Sequence, residues 1–239
     1  MKWAEELRKQ VESADYEREI YVLSAPRQGN TITRYILEHL TGYRSYGYIG
    51  SGPQDGIENR GSVAQNITSY DTSGIIFKRH EFSHVGRFTT QKEAPDSRLV
   101  VIARNPLDWK RRFNSGFSQE WLTEYADIIE GALSSDREHV KIFFYEALMT
   151  DRVRYVRELA EFVGSPPERL DTFLADIDGH MEGTKAPEQK TANQLEPNVC
   201  NVSDARNLTD WERLMSQLPD SVQKFFNHHY PECRWAYRK

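Results

Sequence analysis

Short apolar runs alternate with amphipathic segments along this chain. The runs at residues 20–24, 74–78, 99–103 and 140–145 are apolar and end at polar or turn-forming residues, which predicts four buried β-strands. Other segments carry apolar residues at helical spacing and end near Gly or Pro. These predict helices over residues 3–11, 31–40, 151–163, 168–175 and 210–227, with a further helix starting at Pro106.

The order of these elements predicts a three-layer α/β fold. Strands that alternate with helices form a central parallel sheet flanked by helices on both faces. Residues 43–73 show no clear period and are interpreted as a long loop with one short helix near 63–67, and residues 180–205 as an irregular segment. In such sheets ligands bind at the carboxyl ends of the strands.

Composition narrows the class of protein. The 239 residues are 38% hydrophobic and 28% charged, with a formal net charge of −5, which argues against a protein that coats nucleic acid. No run approaches the roughly 18 apolar residues of a membrane helix, and the charged N-terminus lacks a signal-peptide core. Two cysteines, Cys200 and Cys233, form neither a disulfide scaffold nor a zinc site. The prediction is a cytoplasmic protein with no metal and no membrane or nucleic-acid partner.

The loop after the first predicted strand has the character of an anion site. It reads SAPRQGNT (residues 24–31) and leads into a helix, so backbone N–H groups and a helix N-terminus point at one place. A nucleotide triphosphatase would read G-x-x-x-x-G-K-[ST] there. Ser24 takes the place of the first Gly and Asn30 that of the Lys, which disfavours magnesium–ATP. A simple capped turn is the alternative to phosphate binding.

The departures from that pattern resemble a different family. PRQGNT (residues 26–31) is similar to the 5′-phosphosulfate loop P-[KR]-[SA]-G-[TS]-T of sulfotransferases that use 3′-phosphoadenosine 5′-phosphosulfate (PAPS), with Gln28 and Asn30 replacing small hydroxyl residues. The resemblance implies that this loop and the start of its helix bind the nucleotide. The residues so assigned are Arg27, Gln28, Gly29, Asn30, Thr31 and Ile32.

A second block resembles the 3′-phosphate segment of the same family. A predicted strand ends in Arg104-Asn-Pro, and the resemblance implies that Arg104 holds the 3′-phosphate. An Arg in that position can give a phosphate a bidentate, charged partner. The family usually has a Ser eight residues further on; Arg112 stands there and is assigned as a further nucleotide ligand. An ion pair with Asp108 at i+4 is the alternative for Arg104.

Three more segments of the chain resemble the family at positions that serve catalysis and nucleotide binding. Lys78 and His80 are similar to the family's K-x-H, which implies that His80 is the general base and that Lys78 contacts the transferring group; His84 is a competing base. Tyr145, in a strand end similar to Y-E-D-L, is implied to lie near adenine, with a structural Glu after it. Arg206, in a segment similar to a C-terminal loop of the family, is implied to contact the 3′-phosphate.

Together these blocks predict a single sulfotransferase-like domain over residues 1–239, nearest the small cytosolic or bacterial type. Its implied reaction moves a sulfuryl group from PAPS to a hydroxyl or amine of a small-molecule acceptor by in-line displacement, without a metal. Arg27 is implied to stabilise the reacting group as well as the phosphate. A P-loop nucleotide kinase and a non-catalytic nucleotide-binding protein on the same fold remain alternatives.

Overall fold

Five parallel strands form the centre of the protein. The computed structural model describes residues 16–26, 28–46, 67, 69–79, 97–111, 118–135, 138–183 and 205–230. The sheet that these residues form has the strand order β2-β3-β1-β4-β5, and every neighbouring pair is parallel. The strands are β1 (Arg18–Leu23), β2 (Tyr43–Tyr46), β3 (Asp71–Arg79), β4 (Arg98–Ala103) and β5 (Val140–Phe144).

Helices cover both faces of this sheet. They are α1 (Asn30–Thr41), α2 (Pro106–Arg111), α3 (Gln119–Ser134), α4 (Tyr145–Thr150), α5 (Arg152–Val163), α6 (Pro167–Ala175), α7 (Ile177–Gly183), α8 (Ala205–Met215) and α9 (Asp220–His229). One core cluster joins one face of the sheet to α1, α5 and α6. A second cluster joins the other face to α3, α8 and α9. The three-layer α/β fold with a central parallel sheet is therefore confirmed.

β1 is the strand that organises both layers. Its side chains alternate, with Ile20 and Val22 in the core cluster of α1 and with Tyr21 and Leu23 in that of α3. β3 pairs with one edge of β1 and β4 with the other. The chain leaves β1 toward β2 and leaves β4 toward β5, in opposite directions along the sheet. Such a switch point opens a crevice at the carboxyl ends of the two strands.

Toward one edge of the sheet, one strand was not predicted and another begins earlier than predicted. β2 occupies part of the expected loop, and β3 begins at Asp71 rather than at residue 74. The reason is tertiary, since a β-carbon on Gly74 would lie 2.4 Å from the ring of Tyr43, so the glycine leaves room for the β2 side chain to cross β3. A short polar edge strand has little apolar pattern of its own, and it forms because β3 is there to pair with it.

Several helix predictions also need correction. α3 was not predicted from the sequence. It begins after its N-cap Ser118, and its buried face lies against the sheet. The single helix expected over residues 210–227 is two helices, because Pro219 precedes α9 and ends the backbone hydrogen-bond ladder of α8. α7 occupies residues expected to begin an irregular segment. The helix predicted over residues 3–11 lies outside the described residues, and so does the one near 63–67 except for residue 67.

No helix in the described ranges combines the length and the apolar character needed to cross a membrane.

A partly buried histidine attaches α7 to the rest of its layer. The His180 ring stacks on Phe173 with centroids 4.3 Å apart and an interplanar angle of 6°, and its Nδ1 is hydrogen-bonded to the Tyr35 hydroxyl at 2.8 Å. The His39 ring lies 4.5 Å away. Burial lowers the pKa of His180, and the smaller opposing effect of Asp176 does not offset it. The folded protein therefore binds a proton at this site less readily than the unfolded chain.

We expect acid to destabilise the protein through this site. A lowered folded pKa means that the unfolded chain holds more protons, so the free energy of unfolding falls as pH drops below about 6.5. His180→Phe keeps an aromatic ring beside Phe173 but cannot titrate. Urea unfolding at pH 7.5 and 5.5 should give a smaller loss of stability for this variant than for the natural protein. An equal loss in both would rule out His180 as the source.

Candidate nucleotide-binding site

The loop after β1 is closed by its own side chains. Gln28, fully buried, accepts a hydrogen bond from the backbone N–H of Ala25 at 3.1 Å, and Asn30 Nδ2 donates to Ser24 Oγ at 3.1 Å. These two bonds cross the loop on either side of Gly29. The substitutions that depart from the triphosphatase pattern, a serine and an asparagine, thus bond to each other and fix the entry to α1.

Gly29 is required by a close neighbour. Its φ is +102°, a left-handed conformation that favours glycine, and a β-carbon there would lie 2.6 Å from Cδ2 of Tyr145. Tyr145 is the first residue of α4, directly after β5. The loop after β1 and the carboxyl end of β5 therefore meet in direct contact, across the crevice that the switch point opens.

Arg104 lies on the other side of the same tyrosine. It follows β4, is 3% exposed, and its guanidinium carbon stands 4.1 Å from the centroid of the Tyr145 ring, in cation–π contact. Its Nε donates to a carboxylate oxygen of Asp108 at 2.6 Å, and Nη2 contacts the same oxygen. The ion pair that sequence reasoning offered as the alternative to phosphate binding is therefore present, in a buried guanidinium rather than a surface one.

The structure brings together three of the predicted nucleotide residues, Gly29, Arg104 and Tyr145. The tyrosine ring is the shared neighbour of the loop and the guanidinium. The first turn of α1 contains no acidic residue, so the positive end of its dipole remains available. A helix N-terminus and a buried cation on two sides of one ring suit a ligand with anionic groups at two separated points.

The backbone beside the guanidinium is held by a buried polar network. Glu146 accepts from the backbone N–H of Asn105 at 2.8 Å and from the hydroxyl of Tyr230 at 2.9 Å. Burial, the largest effect, raises the pKa of Glu146, and the pKa of Tyr230 rises well above its usual value for the same first reason. Asn105 in turn accepts from two backbone N–H groups of α2. Glu146 thus holds the turn after β4 in place. The resemblance had implied a structural role for this glutamate.

Two residues that sequence reasoning missed join this network, Tyr125 and Trp109. The Tyr125 hydroxyl bonds the backbone of Arg104, and the Trp109 indole donates to the carbonyl of Pro26 at 2.6 Å. Tyr125 belongs to the unpredicted helix α3, so no local motif marked it. Both are fully buried aromatics with polar tips, a residue type that finds a partner when buried, and that is the signal that could have drawn attention to them.

Lys78 stands at the end of β3 toward the same crevice. It pairs in register with Val22, is partly buried, and shares its strand face with Ile76, which packs in the core cluster of α1. The side chain therefore extends from the sheet on the side of α1, the helix that begins at the candidate loop. His80 lies two residues further on, outside the described residues, so the prediction that the two side chains share a side stays a prediction.

The described part of the structure does not bring the remaining predicted residues together. Arg27, His80 and Arg112 lie outside the described residues, so their assignments stay predictions. Arg206 was expected in a loop, which is wrong: its backbone lies at the start of α8, and its side chain is not among those described. Thr31 and Ile32 form the first turn of α1, exposed and partly buried respectively. Within the described ranges, no three potential metal ligands gather to hold an ion.

The sequence matches no known family model and no curated protein. In structure it is similar to the mouse sulfotransferase SULT7A1 complexed with PAP, with a TM-score of 0.55 and 14% identity over 93% of this chain and 92% of that chain. A sulfotransferase from Alicyclobacillus acidocaldarius gives a TM-score of 0.38 at 15% identity, over 72% and 94% of the chains. Retinol dehydratase in complex with androsterone and PAP gives a TM-score of 0.43 at 12% sequence identity, over 74% of this chain and 67% of that chain.

The first of these likenesses extends over nearly the whole of both chains. Together with the five-stranded parallel sheet and its flanking helices, it shows that this chain has the P-loop-like α/β fold of a sulfotransferase.

Proposed function

We propose that this protein is a PAPS-dependent sulfotransferase. The observation that carries the proposal is the Tyr145 ring, with Gly29 of the candidate loop at its edge and the Arg104 guanidinium over its face. PAPS has a phosphosulfate at one end of its ribose and a phosphate at another. It therefore matches a site with a helix N-terminus and a buried arginine on two sides of an aromatic ring. The fold shared with a PAP-bound sulfotransferase supports the same ligand.

The proposed binding roles follow the two turns. Arg27, Gln28, Gly29, Asn30, Thr31 and Ile32 supply the loop and helix start that receive the 5′-phosphosulfate. Arg104, with Arg112 and Arg206, receives the 3′-phosphate, and Tyr145 lies against the nucleoside. Because both anionic groups are met by guanidinium and N–H donors, no metal is needed to neutralise them.

The proposed chemistry is an in-line displacement at sulfur. The acceptor oxygen or nitrogen forms a bond to sulfur while the bond from sulfur to the bridging phosphate oxygen breaks. His80 takes the proton that the acceptor loses. Lys78 and Arg27 stabilise the negative charge that spreads over the sulfuryl and phosphate oxygens. The acceptor is proposed to be a small molecule with a hydroxyl or amine, and the protein a single cytoplasmic domain.

The product nucleotide tests the proposal without knowledge of the acceptor. Adenosine 3′,5′-bisphosphate (PAP), at 100 times its Kd, adds about 2.7 kcal/mol to the stability of a protein that binds it only when folded. For a chain of this size, the melting temperature should rise by roughly 5–10 °C. The rise should be unchanged in EDTA, because the phosphates bind to protein groups alone.

Magnesium–ATP is the informative comparison. A P-loop kinase would be stabilised more by magnesium–ATP than by PAP and would lose that effect in EDTA. Such a result would overturn the sulfotransferase proposal in favour of the kinase. Stabilisation by PAP without turnover of labelled PAPS, over a panel of phenols, alcohols and amines, would favour a non-catalytic nucleotide-binding protein on this fold.

A further inference from the structure

One buried tyrosine hydroxyl makes two hydrogen bonds to the backbone of Arg104. Tyr125 Oη accepts from the Arg104 N–H at 2.8 Å and donates to the Arg104 carbonyl at 2.5 Å. The residue is completely buried, in edge contact with Trp109 at 5.0 Å and tilted against Phe226 at 5.4 Å between ring centroids. Burial raises the pKa of Tyr125 well above its usual value, so the hydroxyl keeps the proton that it donates.

Tyr125 is also linked to the loop after β1, through the Trp109 ring on which it packs. Trp109, packed on the Tyr125 ring, donates to the Pro26 carbonyl in that loop at 2.6 Å. The two turns at the switch point are therefore joined through one aromatic pair.

We propose that Tyr125 is a positioning residue for nucleotide binding: it fixes the turn after β4 against the loop after β1, so that Arg104 meets the 3′-phosphate while the loop holds the 5′ end. The inference rests on the proposed function above. Tyr125 does not touch the ligand in this role. It sets the distance between two turns that must hold one rigid nucleotide at both ends.

The bonding pattern favours this role over simple core packing. A tyrosine that only filled space would need one partner for its hydroxyl. Here the hydroxyl engages both polar backbone groups of Arg104, the first residue after β4. Phenylalanine at this position would keep the ring packing and release both groups, so that the turn could shift relative to the loop.

The test measures selectivity, which a purely structural residue would not change. Binding of PAP and of adenosine 5′-monophosphate (AMP), which lacks the 3′-phosphate, is compared by calorimetry in the natural protein and in Tyr125→Phe. We expect PAP affinity to fall about 10- to 100-fold, the size of effect expected when a hydrogen-bonded contact to a charged group is weakened. AMP affinity should change by less than about threefold. The preference for PAP should therefore largely disappear.

Tyr155→Phe is the matched control. Tyr155 is also a buried core tyrosine, but it lies in the other helix layer, and its hydroxyl is 3.4 Å from Thr33 Oγ1. Losing this hydroxyl should leave the preference for PAP unchanged, whatever it does to stability. If Tyr125→Phe does not fold, Tyr230→Phe replaces it, because Tyr230 donates to the Glu146 carboxylate that holds the Asn105 N–H in the same turn.

The outcomes separate the inference from the function on which it rests. If the natural protein does not prefer PAP to AMP, the proposed function fails and the positioning role fails with it. If the natural protein has this preference and the folded Tyr125→Phe or Tyr230→Phe variant keeps it, the positioning role is overturned and the proposed function stands. If Tyr155→Phe loses the preference for PAP over AMP to the same extent, the loss comes from a general loosening of the core. That result would also overturn the positioning role of Tyr125.

Discussion

Arg104→Ala is expected to weaken PAP binding by about 30- to 5,000-fold, equal to about 2–5 kcal/mol. The reason is that the guanidinium is buried and held between Tyr145 and Asp108, so that its contact with a phosphate is poorly screened by water. AMP should lose far less affinity, because it has no phosphate to place there. Calorimetry with both nucleotides measures the two changes.

Arg98→Ala is the control for this experiment. Arg98 begins the same strand, at the opposite end of the sheet, where it bonds the Ser97 carbonyl and contacts His139. Its removal should change neither affinity. Because Arg104→Ala also leaves Asp108 without its cation, the double variant Arg104→Ala/Asp108→Ala should show the same selective loss. Equal weakening of PAP and AMP binding would contradict the assignment of Arg104 to the 3′-phosphate.

His80→Ala is expected to lower kcat by about 10²- to 10⁴-fold, the usual contribution of a general base. PAP affinity should stay within about threefold, because a base that serves the acceptor makes little contact with the nucleotide. The measurement is turnover of labelled PAPS with an acceptor found in the panel, alongside calorimetry with PAP.

His84→Ala distinguishes the two candidate bases. It should keep near-normal turnover if His80 is the base. The reverse pattern would make His84 the base, while parallel loss of turnover and PAP binding in His80→Ala would indicate a structural histidine.

Lys78→Ala should lower kcat without the change in pH dependence that the loss of a general base produces.

The elements that sequence predicted well are those with a strong pattern of their own. β1 and β4 are continuous apolar runs buried on both faces, and α5 has apolar residues on one face between Asp151, which caps it, and Gly164. β2 could not be predicted in this way, since its pairing depends on Gly74 in another strand. α3 has a regular apolar face and a capping Ser118, so its own sequence contains the signals that predict a helix.

The candidate site was also predictable only in part, for the same physical reasons. The loop before α1 and the position of Arg104 are local sequence features, so both were predicted. Their meeting around Tyr145 depends on strand order, which places three carboxyl ends side by side and is not written in any one segment. The contact of Tyr125 with Arg104 is of the same kind, since 21 positions separate the two residues.

The ion pair between Arg104 and Asp108 has a kinetic consequence if PAP is the ligand. The arginine side chain is 4% exposed and the aspartate 20%, so the carboxylate is the partner that can turn outward into water. Nucleotide arrival then exchanges one anion for another at a stationary cation, and departure reverses the exchange. The buried positive charge does not have to stand alone between turnovers. Asp108 would thus lower the barrier to releasing the spent nucleotide, at the expense of how tightly that nucleotide is held.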